Sequence, residues 1–203
     1  MFPLDELQYT GFLAHCNPVY SNGYLFPAEV AIFSIRERDI KQYKTFTVNL
    51  SNLTFNHSDF ILNQYYSNTK TNIVLSQTTR EGLKQTTICI GCITTCFKIW
   101  PCTILKGSIV YVYGSQQKDL FKIFFRFLPV VDVLESPCFK NIPELMDCKI
   151  ILKGHRNFHD QKLLLACSFN KAYGYFRLCK IKISAFEDSE ENSSSDSEEE
   201  CNN

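Results

Sequence analysis

Apolar and polar positions set the outline of this chain. The run Phe26-Pro27-Ala28-Glu29-Val30-Ala31-Ile32-Phe33-Ser34-Ile35 is short and almost continuously apolar. That pattern predicts a buried central strand. Arg36 to Asp39 make a charged turn. From Tyr43 to Leu50 the chain alternates, with Tyr43, Thr45, Thr47 and Asn49 on one side and Phe46, Val48 and Leu50 on the other. A period of two predicts the hairpin partner strand. Residues 51–80 are rich in Asn, Ser and Thr and read as a long loop with a short strand near Ile73 to Leu75. Over 81–100, Leu83, Ile88, Cys89, Cys92, Ile93, Cys96 and Ile99 come close to helical spacing, and Pro101 ends the segment.

The second half repeats a strand–helix rhythm. Ser108 to Gly114 predicts another buried strand. Ser115 is placed to cap a helix over Gln116 to Leu128, which Pro129 ends. Val130 to Leu134 suits a short strand or turn, Cys148 to Leu152 a further strand, and Gln161 to Phe176 a last helix. Two strands followed by strand–helix–strand–helix predict a mixed α/β layer fold. Residues 1–23, with Asn17-Pro18 and Asn22-Gly23 as turn signals, read as an irregular lead-in. Residues 24–186 read as one domain, and 187–203 as a disordered acidic tail of Glu, Asp, Ser, Asn and one Cys.

Charge changes this picture more than composition does. The chain has 21 basic and 21 acidic residues, but eight of the acids and none of the bases fall in 187–203. The first 186 residues therefore carry a net +8. A basic body with an acidic tail suits an anionic partner, although scattered lysines that only aid solubility would give the same sum. Met1 to Thr10 carries Asp5 and Glu6 and does not read as an export signal, and no run reaches the roughly 18 apolar residues of a spanning helix. Most of the ten cysteines are then expected as buried, reduced thiols. The glycosylation patterns at Asn52-Leu53-Thr54 and Asn56-His57-Ser58 read as coincidental.

Candidate chemistry is sparse. A two-metal nuclease needs several converging carboxylates. Glu29 lies in the first predicted strand, but Ala31 stands two residues on, and the strand ending at Tyr113 carries no acid. His155, His159 and Cys167, with Cys148 upstream, are soft zinc donors, but spacing alone favours a surface histidine pair beside a buried cysteine. Cys89, Cys92 and Cys96 suit core packing on one helix face. Neither a phosphate-cradling Gly-rich loop nor a nucleophile elbow is present. Lys118, Lys122 and Arg126 lie four apart on the predicted middle helix, as an RNA-facing stripe or a solvated face. Lys171, Arg177, Lys180 and Lys182 crowd the C-terminal part among Tyr173, Tyr175 and Phe176, which suit base stacking or the core.

The order of these segments resembles the Maelstrom domain. Pro27-Ala28-Glu29-Val30-Ala31-Ile32-Phe33-Ser34-Ile35 is similar to its opening strand, and Tyr43-Lys44-Thr45-Phe46-Thr47-Val48-Asn49 to its next one. Phe158-His159-Asp160-Gln161-Lys162-Leu163-Leu164-Leu165-Ala166-Cys167 is similar to its His-to-Cys segment, with the same eight-residue step. The likeness spans roughly residues 24–180. It implies an RNase H-like α/β fold, a mixed sheet flanked by helices and related to DEDD-type 3′–5′ exonucleases. It also implies one Zn²⁺ in place of the catalytic acids, with Glu29, His159 and Cys167 as ligands. Arg156 holds the place of the remaining cysteine, which leaves His155 or Cys148 for the fourth position. The implied role is a piRNA-pathway protein that binds single-stranded RNA, through Lys118, Lys122, Arg126, Lys171, Arg177 and Lys180, and partner proteins. It would act in transposon silencing in the germline, in cytoplasm, perinuclear granules and nucleus. No HMG box for DNA and no membrane contact are expected of this chain. An active metal-dependent exonuclease or ribonuclease, or a pure protein-interaction module, stays open beside this role.

Overall fold

In the computed structural model, which describes residues 11–34, 43–82, 87–89, 109–124, 128–135, 167–175 and 177, the core is a six-stranded mixed sheet. Its strands are β1 (Gly11–Ser21), β2 (Tyr24–Ser34), β3 (Tyr43–Asn49), β4 (Thr87–Cys89), β5 (Ile109–Val112) and β6 (Val130–Asp132), in the order β4-β3-β2-β1-β5-β6. β2 runs antiparallel to both β1 and β3, while β4 is parallel to β3, β5 to β1 and β6 to β5. The helices are α1 (His57–Tyr66), continued by one π turn over Ser67–Thr71, then α2 (Gln77–Glu81), α3 (Ser115–Phe124), and α4 over 168–175.

The period-two pattern sorts the sheet into two faces. Ala14, Cys16, Val30, Ile32, Phe46, Val48, Val110 and Val112 point to one side, where they meet Leu120 and Phe121 of α3 and Ile73. Leu13, Ala31, Phe33, Tyr111 and Val133 point to the other and meet Cys167, Phe169, Ala172 and Tyr175 around α4. Phe33 and Phe169 are fully buried with ring centroids 5.1 Å apart. Each such burial contributes about 2–3 kcal/mol.

Several segments differ from the sequence-based expectation. Residues 11–21, expected as an irregular lead-in, form the long central strand β1. At Asn17-Pro18 the register against β2 slips by one residue, because Ala28 bulges out of β2 between Glu29 and Pro27. Asn22-Gly23 is the β1–β2 turn, with φ of 51° and 77°, the left-handed pair that a two-residue hairpin requires. Residues 57–66, expected as loop, are α1. Its start signal is a capping box: Asn56 Oδ1 accepts from Asp59 N and Asp59 Oδ2 accepts from Asn56 N, each at 2.9 Å. The asparagine that fits a glycosylation pattern is thus the cap of a helix. Ile73 makes a lone bridge rather than a strand. Thr87–Cys89 is a strand, not part of a helix, so Cys89 does not sit on a helical face; Cys92 and Cys96 lie outside the described residues. Ser115 is the first helical residue of α3 rather than its cap. The expected strand over Cys148 to Leu152 lies outside the described residues.

Candidate functional site

β1 runs past β5. The two strands pair only through Gly11–Leu13, so a crevice opens beyond Leu13 at the carboxyl end of β5. The chain leaves β1 and β5 toward opposite edges of the sheet there, the arrangement in which α/β sheets take ligands. Beyond Leu13 the β1 backbone needs other partners. The Gln117 side chain supplies them for Cys16, accepting from its N–H and donating to its carbonyl, each at 2.8 Å. Asn63 of α1 does the same for Tyr20, at 2.7 and 2.8 Å. Between them stands Pro18, which has no N–H to satisfy.

On the α4 face the bulge sets Asn17 opposite Glu29. The Glu29 carboxylate is fully buried. Its Oε2 accepts from Asn17 Nδ2 at 3.0 Å and from Ser168 N, in the first turn of α4, at 2.7 Å. Its Oε1 lies 3.3 Å from Cys167 Sγ. Ser168 Oγ completes the knot, donating to the Glu29 carbonyl at 3.0 Å and accepting from Asn17 N at 2.9 Å. Burial and the nearby Glu29 charge push the Cys167 thiol strongly up. Cys16 is likewise a buried free thiol pushed up by burial and Glu29.

Lys171, one turn further along α4, reaches the crevice. Its Nζ donates to the Lys70 carbonyl at 2.8 Å and lies 3.4 Å from Asn17 Oδ1. Burial brings its pKa down to about 8 against the opposing pull of Glu29. His15 lies beside it, 6% exposed, with its ring 6.0 Å from that of Tyr175. Its pKa is held well below the usual histidine value, first by burial and then by Lys171. Tyr20 and Tyr66 hydroxyls meet at 3.1 Å, and Gln116 Nε2 donates to Tyr66 at 3.0 Å. Burial and the Tyr66 bond push Tyr20 up to about 12; the bond from Tyr20 lowers Tyr66. Together these elements enclose a cleft of about 320 Å³.

The sequence-based candidates fall in several places. Glu29 and Cys167 come together from 138 residues apart. His155, His159 and Cys148 lie outside the described residues, and among the described ones no group of three metal-donating side chains occurs. Lys118 donates to both oxygens of Glu135, at 2.6 and 2.7 Å, and so spends its charge within α3 and the turn after β6. Lys122 and Arg177 are exposed; Arg126 and Lys180 lie outside the described residues. Tyr175 stacks on Tyr113 at 4.7 Å and Tyr173 on Phe169 at 6.2 Å, which places both among the packed aromatics of the α4 face. Sequence reasoning missed His15, Asn17, Lys70, Gln116 and Gln117. The one local signal among them, Asn17-Pro18, reads as a turn. Among the described residues no helix is long and apolar enough to cross a membrane. Comparison with family models, with curated proteins and with solved structures finds no match to this chain.

Proposed function

We propose that this chain is a Maelstrom-like protein of the piRNA pathway, binding single-stranded RNA and partner proteins for transposon silencing in the germline. The observation that carries the reading is the meeting of Glu29 with Cys167, two of the residues that the resemblance marks as zinc ligands. Tetrahedral zinc with a bond of about 2.3 Å to sulfur and 2.0 Å to oxygen sets those two ligands about 3.5 Å apart. The Oε1–Sγ separation of 3.3 Å fits that spacing. Glu29 and Cys167 would hold the ion with His159 and either His155 or Cys148, and the ion would supply folding energy and stabilise the thiolate. The mixed α/β sheet is compatible with the reading: an antiparallel meander β1-β2-β3 is extended beside β1 by two parallel strands linked through a helix, and beside β3 by β4. Among the described residues no group of three metal-donating side chains forms around Glu29, whose strand neighbours on that face are Ala31 and Phe33.

The test has two arms. Metal analysis of the purified chain should find one zinc per molecule, and His159→Ala should lower both zinc content and melting temperature. The basic body should bind single-stranded RNA with an affinity that falls steeply with salt. Deleting 187–203 should tighten that binding at low salt, because eight tethered acids compete with phosphate. A zinc-free chain whose stability is indifferent to His159 defeats the family reading. No RNA binding by either form leaves the interaction-module alternative.

A further inference from the structure

The cleft beside β1 is built unlike a packing defect. Its walls come from five places: β1 (His15, Asn17, Pro18), the π turn after α1 (Lys70, Thr71), the turn after β5 (Tyr113, Gly114), the first turn of α3, and Lys171 of α4. Among its described lining residues are two lysines and no carboxylate. An anion entering it would meet positive charge from both sides.

The helix end strengthens that field. α3 is ten residues long, and its first turn holds no acidic side chain. The N–H groups at the start of a helix have no partners within it and carry about half a positive charge together. Gly114 sits at φ 95°, a conformation that glycine adopts without strain, and its own N–H is tied to Asp132 Oδ1 at 2.8 Å. This sharp turn brings Ser115, Gln116 and Gln117 to the cleft wall. The arrangement of a strand, a glycine turn and a helix N-terminus is one that favours phosphate oxygens.

A second observation is independent of the helix. His15 is buried and lines the cleft, yet its Nδ1 has no hydrogen-bond partner among the described residues. A buried polar atom left without a partner is costly, so its persistence here points to something that the cleft receives. Among the described residues the Lys171 Nζ contacts two oxygens, Asn17 Oδ1 and the Lys70 carbonyl, of the three that its donors could serve.

From this geometry we infer that the cleft binds a phosphoryl group carried as a monoester, on a nucleotide or at the end of a nucleic-acid strand. Lys70 and Lys171 neutralise its charge, the α3 N-terminus receives its oxygens, and the His15 ring lines the wall beside them. The volume, about 320 Å³, suits a nucleotide-sized occupant. The proposal deepens the RNA-binding reading by adding an end preference, and it can fail separately from it.

The test is a set of anisotropy titrations on the full chain. The probes are a 5′-phosphorylated oligouridylate, the same oligomer with a 5′-hydroxyl, uridine monophosphate and inorganic phosphate as competitors, all at one salt concentration. The phosphorylated oligomer should bind at least about tenfold tighter than its hydroxyl form, the worth of one or two charge-assisted hydrogen bonds. Uridine monophosphate should compete for that advantage; equal competition by inorganic phosphate would show that the phosphoryl group alone suffices. Ser115→Asp puts a carboxylate in the cleft at a helix position that welcomes it. Its melting temperature should hold or rise while the phosphate advantage vanishes, which separates lost binding from lost folding. Lys70→Gln, at an exposed position, should cut the advantage severalfold. Equal binding of the two oligomers, or an advantage that survives Ser115→Asp, overturns the cleft proposal and leaves general RNA binding standing. Capture of uridine monophosphate without binding of either oligomer does the reverse.

Discussion

Glu29, on the interior strand β2, and Asp59, on α1, are both buried carboxylates, and they do different work. Asp59 is saturated by backbone. It accepts from Asn22 N, Gly23 N and Asn56 N at 2.7, 3.1 and 2.9 Å, which locks the β1–β2 turn onto the start of α1. Burial opposes its charge, but those three bonds prevail and its pKa falls below the ordinary 3.8. Glu29 instead has a mixed set of neighbours: an amide, a backbone N–H and a thiol, with a lysine close by. A carboxylate held by rigid N–H groups is a fastener. One that shares an oxygen with a weak thiol donor keeps a position that a stronger ligand can take. The difference marks Glu29 as the better candidate for chemistry, although both are equally hidden from solvent.

The contrast can be broken in order of effect. Glu29→Leu leaves Asn17 Nδ2 and Ser168 N without their acceptor and should cost about 3–5 kcal/mol, read as a lower urea midpoint, or prevent folding outright. Asp59→Asn should cost less and change the acid limb of stability. Because the folded-state pKa is depressed, its contribution is full above pH 3.8 and is lost as pH falls through the lower folded value. The parent should therefore lose stability across that window, and Asp59→Asn should be flat there by comparison. Gln117→Ala strips both partners from the Cys16 backbone and should cost about 1–3 kcal/mol by the same denaturation assay. Gly23→Ala meets no atom within 4 Å, so only its φ of 77° opposes the change, at about 1 kcal/mol.

How much of this could be read from the chain varies with the range of the contacts. The face of β3 was legible because Phe46, Val48 and Leu50 alternate with polar residues and do enter one core cluster. The β5–α3–β6 unit was legible from its apolar strands, Ser115 and Pro129. β1 was not, since Asn17-Pro18 reads as a turn when it runs on through a strand, opposite a bulge in β2. α1 was hidden because it buries Asp59 and Asn63 and leaves Phe60, Ile61 and Tyr65 exposed, the inverse of an apolar stripe. Glu29 could be singled out as a lone acid in an apolar run. Its companions could not: Asn17 is brought in by the bulge and Ser168 from 139 residues away. The cleft was invisible for the same reason, since Gln117 reaches Cys16 across 101 residues and Lys171 reaches Lys70 across the same distance.

Those spans have a kinetic consequence. The β1–β2 hairpin closes over two residues, and its locking carboxylate lies 37 residues from the turn, so this corner can form early. The Glu29–Ser168 bond must close a loop of 139 residues and comes late in any route that builds local structure first. Glu29 is then expected to act on the way out of the native state rather than on the way in. Its substitution should speed unfolding far more than it slows refolding, while disruption at Asp59 slows refolding. A nascent chain would carry a finished hairpin for most of its synthesis and acquire the Glu29 pocket only as α4 arrives.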